Sequence, residues 1–274
     1  MPELPETETI ARDLHVLLKG RRIRAVTVIR TDVLRHVTGR ALATRVAGAR
    51  IEGAWRRAKS VVVDLSTGDR LVFQPRFTGS VLVGDSPAAV ADAFSTISFR
   101  LTDGGAFTYR DVRRLGTVAL LSPAAFERMV ASLGVEPLDE SFTADRLSEF
   151  LRPTHRAVKT VLMDQRRIAG IGNIYANEAL WRVGVDPSRR ASSLPTETVG
   201  ELRDAVVSLL REAVAARGTT FRDYRDPHGD RGGFGALLAV YGRAGLPCRR
   251  CGTRLASTHA IDGRATVFCF RCQS

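Results

Sequence analysis

Four cysteines fall within the last 27 residues, as Cys248-x2-Cys251 and Cys269-x2-Cys272 with 17 residues between the pairs. Two short knuckles that each supply two thiolates match a closed tetrahedral zinc site, with Zn–S bonds of about 2.3 Å. No open coordination position is implied, so the expected Zn2+ is structural, one per chain. Two disulfides are the alternative, but they belong to an oxidising compartment, and the acidic opening MPELPETETI has no apolar export segment. The other end of the chain offers a nucleophile. Removal of Met1 before the small residue Pro2 would leave a free secondary amine. An α-amino group titrates near pH 8, against about 10.4 for lysine, so far more of it is unprotonated at neutral pH. A secondary amine that captures a sugar carbon yields a cationic iminium, which acidifies the adjacent carbon enough to eliminate a phosphate. Glu3 is the nearest carboxylate for proton transfer to the sugar ring oxygen or the departing base. Pro2-Glu3 alone reads equally well as an ordinary helix start.

A third group of candidates sits mid-chain. In Gly170-Ile171-Gly172-Asn173-Ile174-Tyr175 two glycines stand directly before a helical pattern, and exposed amides at a helix start bind phosphate. Asn173 serves either as cap or as a phosphate ligand, and Lys159 would add a point charge beside the same anion. Arg264 lies in Gly263-Arg264-Ala265-Thr266, between the cysteine pairs, where a hairpin tip would push it towards a backbone phosphate or a groove. From residue 242 to 274 there are six arginines and one acid, a net charge of 6 − 1 = +5.

Positioning these groups falls to 274 residues with 41 Lys+Arg and 29 Asp+Glu, a formal charge of +12, 44% hydrophobic and 26% charged residues. That composition excludes a disordered chain, and no apolar run suits a membrane span, so a cytoplasmic, folded, basic protein is expected. A surplus of cations suits a polyanion. Lys19, Lys59 and Lys159 are the only lysines, leaving 38 of the 41 cations as guanidinium groups suited to bidentate phosphate contacts. Apolar spacing predicts a helix over 5–18. Runs rich in β-branched residues predict strands at 23–29, 60–65, 70–73, 80–83, 96–101 and 117–121, which pack as a sandwich or barrel. Helical periods follow at 124–133, 144–151, 157–163, 174–181 and 197–216, with Gly134-Val135-Glu136-Pro137-Leu138 read as the linker.

Taken together, Pro2-Glu3-Leu4-Pro5-Glu6, Gly172-Asn173-Ile174-Tyr175 and the four-cysteine end resemble the formamidopyrimidine-DNA glycosylase and endonuclease VIII family of base-excision repair enzymes. The likeness extends to Arg57-Ala58-Lys59, Asp111-Val112-Arg113-Arg114-Leu115-Gly116, Gly218-Thr219-Thr220 and Val240-Tyr241-Gly242-Arg243. It implies an α+β multidomain chain: a two-layer β-sandwich with flanking helices over 1–133, a helix-two-turn-helix domain over 134–240 and a zinc finger over 241–274, with double-stranded damaged DNA between the two halves. By the same resemblance Pro2 is the Schiff-base nucleophile, Glu3 the general acid, Glu6 the residue that orients helix and amine, and Lys59 a cation near the damaged nucleotide. Asn173 and Arg264 would pinch the phosphates around the lesion. Phe77, Arg113 and Leu115 would fill the gap left by a flipped nucleotide; without the resemblance, Phe77 and Leu115 would be ordinary core residues.

The chain departs from the family pattern at Gln74-Pro75-Arg76-Phe77-Thr78-Gly79, where His-Leu-Gly-Met-Ser-Gly is the commonest form, and at Leu115, where the purine-lesion branch carries Phe. Residues 94–96 also lack the usual histidine. These changes touch lesion search and leave the N-terminal chemistry intact. The segment 223–233, at the place of a lesion-covering loop, favours the purine branch. The expected activity is therefore a monomeric, bifunctional glycosylase and abasic-site lyase for formamidopyrimidine and 8-oxoguanine. Rivals are an enzyme for oxidised pyrimidines or another lesion, a non-cutting damage binder and, more remotely, a zinc-ribbon RNA protein.

Overall fold

The computed structural model describes residues 2–220 and 224–274. Its contacts divide the chain into two compact units, one of residues 1–132 with 216–235 and the other of 133–215 with 236–274.

The first unit opens with α1 (Leu4–Leu18), followed by β1 (Ile23–Val28), β2 (Leu34–Arg35), α2 (Gly39–Val46), β3 (Ile51–Arg57), β4 (Ser60–Leu65), β5 (Arg70–Gln74) and β6 (Gly79–Gly84). Then come α3 (Pro87–Val90), β7 (Ser95–Leu101), β8 (Ala106–Asp111), β9 (Thr117–Leu121) and α4 (Pro123–Val130). Two sheets form, ordered β1-β7-β8-β6 and β2-β9-β5-β4-β3. Strand alternation sends Val61, Val63, Leu71, Phe73, Val118 and Leu120 from one sheet to meet Ile97, Phe99, Phe107 and Tyr109 from the other, with Ile10, Leu14 and Leu18 of α1 in the same core. Phe73 makes edge contact with Phe99, which stacks on Phe107. Truncating a side chain so placed costs about 3–5 kcal/mol. The outer face of β4, β5 and β9 is also covered: Val62, Val72, Ala119 and Leu121 pack with Phe126 of α4. Coverage on both faces explains the unbroken apolar run Val61-Val62-Val63.

The second unit holds α5 (Ala144–Leu151), α6 (Val158–Leu162), α7 (Asn173–Arg182), α8 (Thr196–Ala215) and a hairpin of β10 (Ala256–Thr258) and β11 (Thr266–Phe268). Helices α5 and α7 pack on α8, and α7 also packs on β11.

Two segments near the unit boundaries are tied down. The segment 134–138, just past the boundary at 132/133, is paired within the second unit: the Val135 N–H donates to Arg167 O at 3.1 Å and the Ala169 N–H to Val135 O at 2.8 Å. A Cβ on Gly134 would lie 2.2 Å from the Arg167 carbonyl oxygen, so only glycine fits there. The second is 216–235, which packs with the first unit rather than with the helices before it. Its two arms pair through the N–H groups of Gly233 and Phe234 on the carbonyls of Ala216 and Gly218, at 2.8 and 3.0 Å. Arg217 then bridges Asp226 and Asp13 of α1. Strands β3 and β8 were not expected, since Gly53 and the charged ends Arg56-Arg57 and Arg110-Asp111 blur their alternation.

Candidate active site and zinc centre

Pro2 is buried immediately before α1, and Glu3 is the residue that caps it, in extended conformation with φ −112° and ψ −161°. Pro5 occupies the first turn, where its missing N–H costs nothing. The backbone N–H of Glu3 donates to Glu6 Oε2 at 2.7 Å, one arm of a reciprocal capping box. Glu6 is 0% exposed. Its other oxygen accepts the Thr219 N–H at 2.6 Å, and its backbone carbonyl accepts the Tyr224 hydroxyl at 3.3 Å. Burial, then the charge of Glu6, push the Tyr224 phenol far above its ordinary range and keep it neutral. Gly218 permits this arrangement: its φ is +79°, and a Cβ there would stand 2.8 Å from Glu6 Cγ.

Helix α1 lies along β3 and β4. His15 faces the backbone of Ala54, while Glu8, one end nearer, pairs with Arg56 at 2.8 Å. The helix start therefore points towards the β3–β4 turn, which carries Lys59, half-buried, behind Ala58 at φ +53°. Pro2, Glu3, Glu6 and Lys59 thus belong to one end of the first unit.

Phe77 and Leu115 are not core residues: they are 45% and 39% exposed on the loops β5–β6 and β8–β9. The Arg113 guanidinium stands 5.0 Å from the centre of the Phe77 ring. Large apolar side chains held in water beside a cation suit insertion into a base stack.

In the second unit Gly172 caps α7, so Asn173 is its first helical residue and not the cap. Freed from capping, the Asn173 Nδ2 donates to Ala265 O of the finger hairpin at 2.9 Å, next to the exposed Arg264. Lys159 departs from expectation more sharply. It is 0% exposed, and its Nζ donates to Thr266 Oγ1 at 2.7 Å and lies 3.6 Å from Asp262. A buried ammonium requires such partners, so Lys159 holds the hairpin that presents Arg264 and does not stand open to an anion. Of the segment 223–233, residue 223 lies outside the described residues.

The Sγ atoms of Cys248, Cys251, Cys269 and Cys272 all lie within 4.8 Å of one another. Tetrahedral Zn–S bonds of about 2.3 Å require sulfurs about 3.8 Å apart, and Cys248–Cys272 at 4.0 Å and Cys251–Cys269 at 3.5 Å bracket that value. The Arg250 N–H donates to Cys248 Sγ at 3.4 Å, as thiolate ligands require. These four residues hold one structural zinc.

Sequence reading missed Glu178 and Asn177 on α7. Glu178 is 3% exposed and its carboxylate accepts the N–H groups of Ala239, Val240 and Tyr241 at 2.7–2.9 Å. Burial raises its carboxyl pKa, opposed by those three donors. Asn177 Oδ1 accepts the Val267 N–H at 2.9 Å. The only signal for either was an acid and an amide on the apolar face of a helix.

A β-sandwich opened by an acid-capped helix, followed in the chain by a group of helices, one of them led by Gly172, and a thiolate finger, defines the helix-two-turn-helix class of DNA repair proteins. Three family models match in order: the formamidopyrimidine-DNA glycosylase N-terminal domain over 1–118, its H2TH domain over 133–225, and the zinc finger found in FPG and IleRS over 245–274. Curated relatives named formamidopyrimidine-DNA glycosylase include those of Bacillus licheniformis, 39% identical over 100% of this chain and 99% of that one, and Xanthomonas campestris, 41% identical over 100% of both. The chain belongs to the formamidopyrimidine-DNA glycosylase family. Similar solved structures include a Lactococcus lactis FPG mutant with Fapy-dG-containing DNA (TM-score 0.93, 28% identity, 100% of both chains). MutM (FPG) of Thermus thermophilus gives a TM-score of 0.88 at 35% identity, covering 99% of this chain and 98% of that one. Among the described residues no helix is long and apolar enough to cross a membrane.

Proposed function

We propose that this chain is a monomeric, cytoplasmic DNA glycosylase and abasic-site lyase that removes ring-opened and oxidised purines from double-stranded DNA. The Glu6 carboxylate carries this reading. One of its oxygens holds the Glu3 N–H, the amide directly after Pro2, and the other holds Thr219. A buried acid fixed at both oxygens keeps the first residues in one geometry, as a covalent nucleophile needs.

After loss of Met1, the Pro2 nitrogen attacks C1′ of the damaged nucleotide, and the C1′–N bond breaks as the base leaves with a proton. Glu3 delivers a proton to the ring oxygen, which opens the sugar to an iminium. Loss of the C2′ proton then expels the 3′-phosphate, and a second elimination releases the 5′-phosphate. Lys59 offers a cation beside the same nucleotide. Phe77, Arg113 and Leu115 occupy the vacated stack, Arg113 bonding the orphaned base, while Asn173 and Arg264 grip the flanking phosphates. The zinc holds the finger's shape and takes no part in proton or electron transfer.

Two features support purine lesions: the name shared by the relatives, and the similar L. lactis complex, whose DNA contains Fapy-dG. The test is borohydride trapping on abasic DNA, together with excision from duplexes that carry formamidopyrimidine, 8-oxoguanine or an oxidised pyrimidine. A covalent adduct lost in Pro2→Gly, with purine lesions removed fastest, supports the proposal. Tight binding with no adduct would identify a non-cutting binder.

A further inference from the structure

Asp111, the last residue of β8, is 1% exposed and sits where the two loops bearing Phe77, Arg113 and Leu115 meet. Its Oδ1 accepts the Thr78 hydroxyl, from the β5–β6 loop, and the Arg113 N–H at 3.2 Å. Its Oδ2 accepts the Gly116 N–H at 2.7 Å and the Tyr109 hydroxyl at 3.4 Å. Thr78 Oγ1 closes the ring by accepting the Arg113 N–H at 3.0 Å. One carboxylate therefore ties residue 78 of the first loop to residues 113 and 116 of the second.

The loops need such a tie. Phe77 and Arg114 have φ of +52° and +51°, a left-handed backbone that bulky residues avoid and that persists only where surroundings enforce it. Space around the hub is fully used: a Cβ on Gly116 would stand 1.9 Å from the Tyr109 hydroxyl oxygen, and one on Gly79 would stand 2.5 Å from it. Beside this rigid base Phe77 and Leu115 project into water. A buried charge this fully bonded makes a stiff anchor, whereas losing one bond leaves a costly unpaired group.

We propose that Asp111, acting through Thr78, is a positioning residue that holds Phe77, Arg113 and Leu115 in register as a single void-filling unit. This inference rests on the excision reading above. Extruding a paired lesion requires the gap to be filled, whereas a site already lacking its base costs least to extrude. Damage to the anchor should therefore slow base removal more than it slows capture of a pre-formed abasic site.

The experiment compares full-length wild type, Asp111→Asn, Thr78→Val and Thr78→Ser. Single-turnover excision from a formamidopyrimidine duplex is measured beside borohydride trapping on an abasic duplex, with each Tm recorded. The expected result is that excision falls about tenfold more than trapping in Thr78→Val and Asp111→Asn, while Thr78→Ser, which keeps the hydroxyl, restores most of the difference. Equal losses in both reactions, following Tm, would make the cluster merely structural and overturn the proposal. So would no loss in Thr78→Val. A wild-type protein that forms no adduct on abasic DNA would remove the parent reading, and this inference with it.

Discussion

Glu6 Oε1 accepts the backbone N–H of Thr219 at 2.6 Å across 213 residues of sequence. The contact makes a turn late in the chain part of the support for the first helix. Gly218-Thr219-Thr220 is thereby explained: its glycine yields space to Glu6 and its threonine amide bonds the carboxylate.

Gly218→Ala should therefore weaken the site by displacing Glu6, without altering Pro2, Glu3 or Lys59 themselves. The left-handed φ and the 2.8 Å approach to Glu6 Cγ cost about 1–3 kcal/mol in strain. Adduct formation on abasic DNA should slow at least tenfold as Glu6 is pushed aside. Unchanged Tm and unchanged trapping would show that the 218–219 turn does not support the helix start.

Cys269 is 0% exposed within the thiolate cluster, so Cys269→Ser should bring zinc content well below one ion per chain and lower Tm. DNA affinity should fall tenfold or more as the hairpin bearing Arg264 loses its anchor. Metal analysis with a binding titration checks both, and full affinity without zinc would contradict the assignment.

Arg264 stands exposed beside Ala265, whose carbonyl takes the Asn173 amide. Replacing it with alanine should weaken binding to all duplexes alike and reduce the slope of log K against log salt by about 0.9, the value of one phosphate contact. A salt series on lesion and undamaged duplexes measures it. An unaltered slope would move Arg264 off the backbone.

Glu178→Ala would remove the acceptor of two buried N–H groups, those of Ala239 and Val240, and of the half-buried Tyr241 N–H. Each such group costs about 1–3 kcal/mol, so a loss of at least about 2 kcal/mol is expected in denaturant unfolding. Glu178→Gln, which keeps one acceptor oxygen, should lose less; equal losses would argue that the charge matters more than the bonds.

What was legible in the sequence was mostly local. Cysteine spacing depends on knuckles of four residues, and the helices at 144–151 and 174–181 depend on a 3.6-residue period, so both could be read from short windows. Strands at 60–65 and 117–121 showed themselves through β-branched residues. Strand β3 did not, because Ile51-Glu52-Gly53-Ala54-Trp55-Arg56-Arg57 owes its extended form to pairing with β4 and to α1 lying on it. The same limit applied within the site. Glu3 was found as the carboxylate beside Pro2 and Glu6 through the family resemblance, whereas the partners of Glu6, Lys159 and Glu178 lie 213, 107 and 61–63 residues away. Lys159 was misplaced for that reason, since a lone cation near a glycine turn gives no sign of the threonine that will enclose it.

The burial of Lys159 also bears on regulation. With 38 guanidinium groups among the 41 Lys and Arg side chains, and arginine charged at every physiological pH, nearly all of the basic charge carried by these side chains stays in place across the physiological range. Acyl transfer to lysine meets three side chains, of which Lys159 is sealed from solvent, Lys59 half-buried and Lys19 exposed. Lysine acetylation therefore leaves the 38 guanidinium charges untouched.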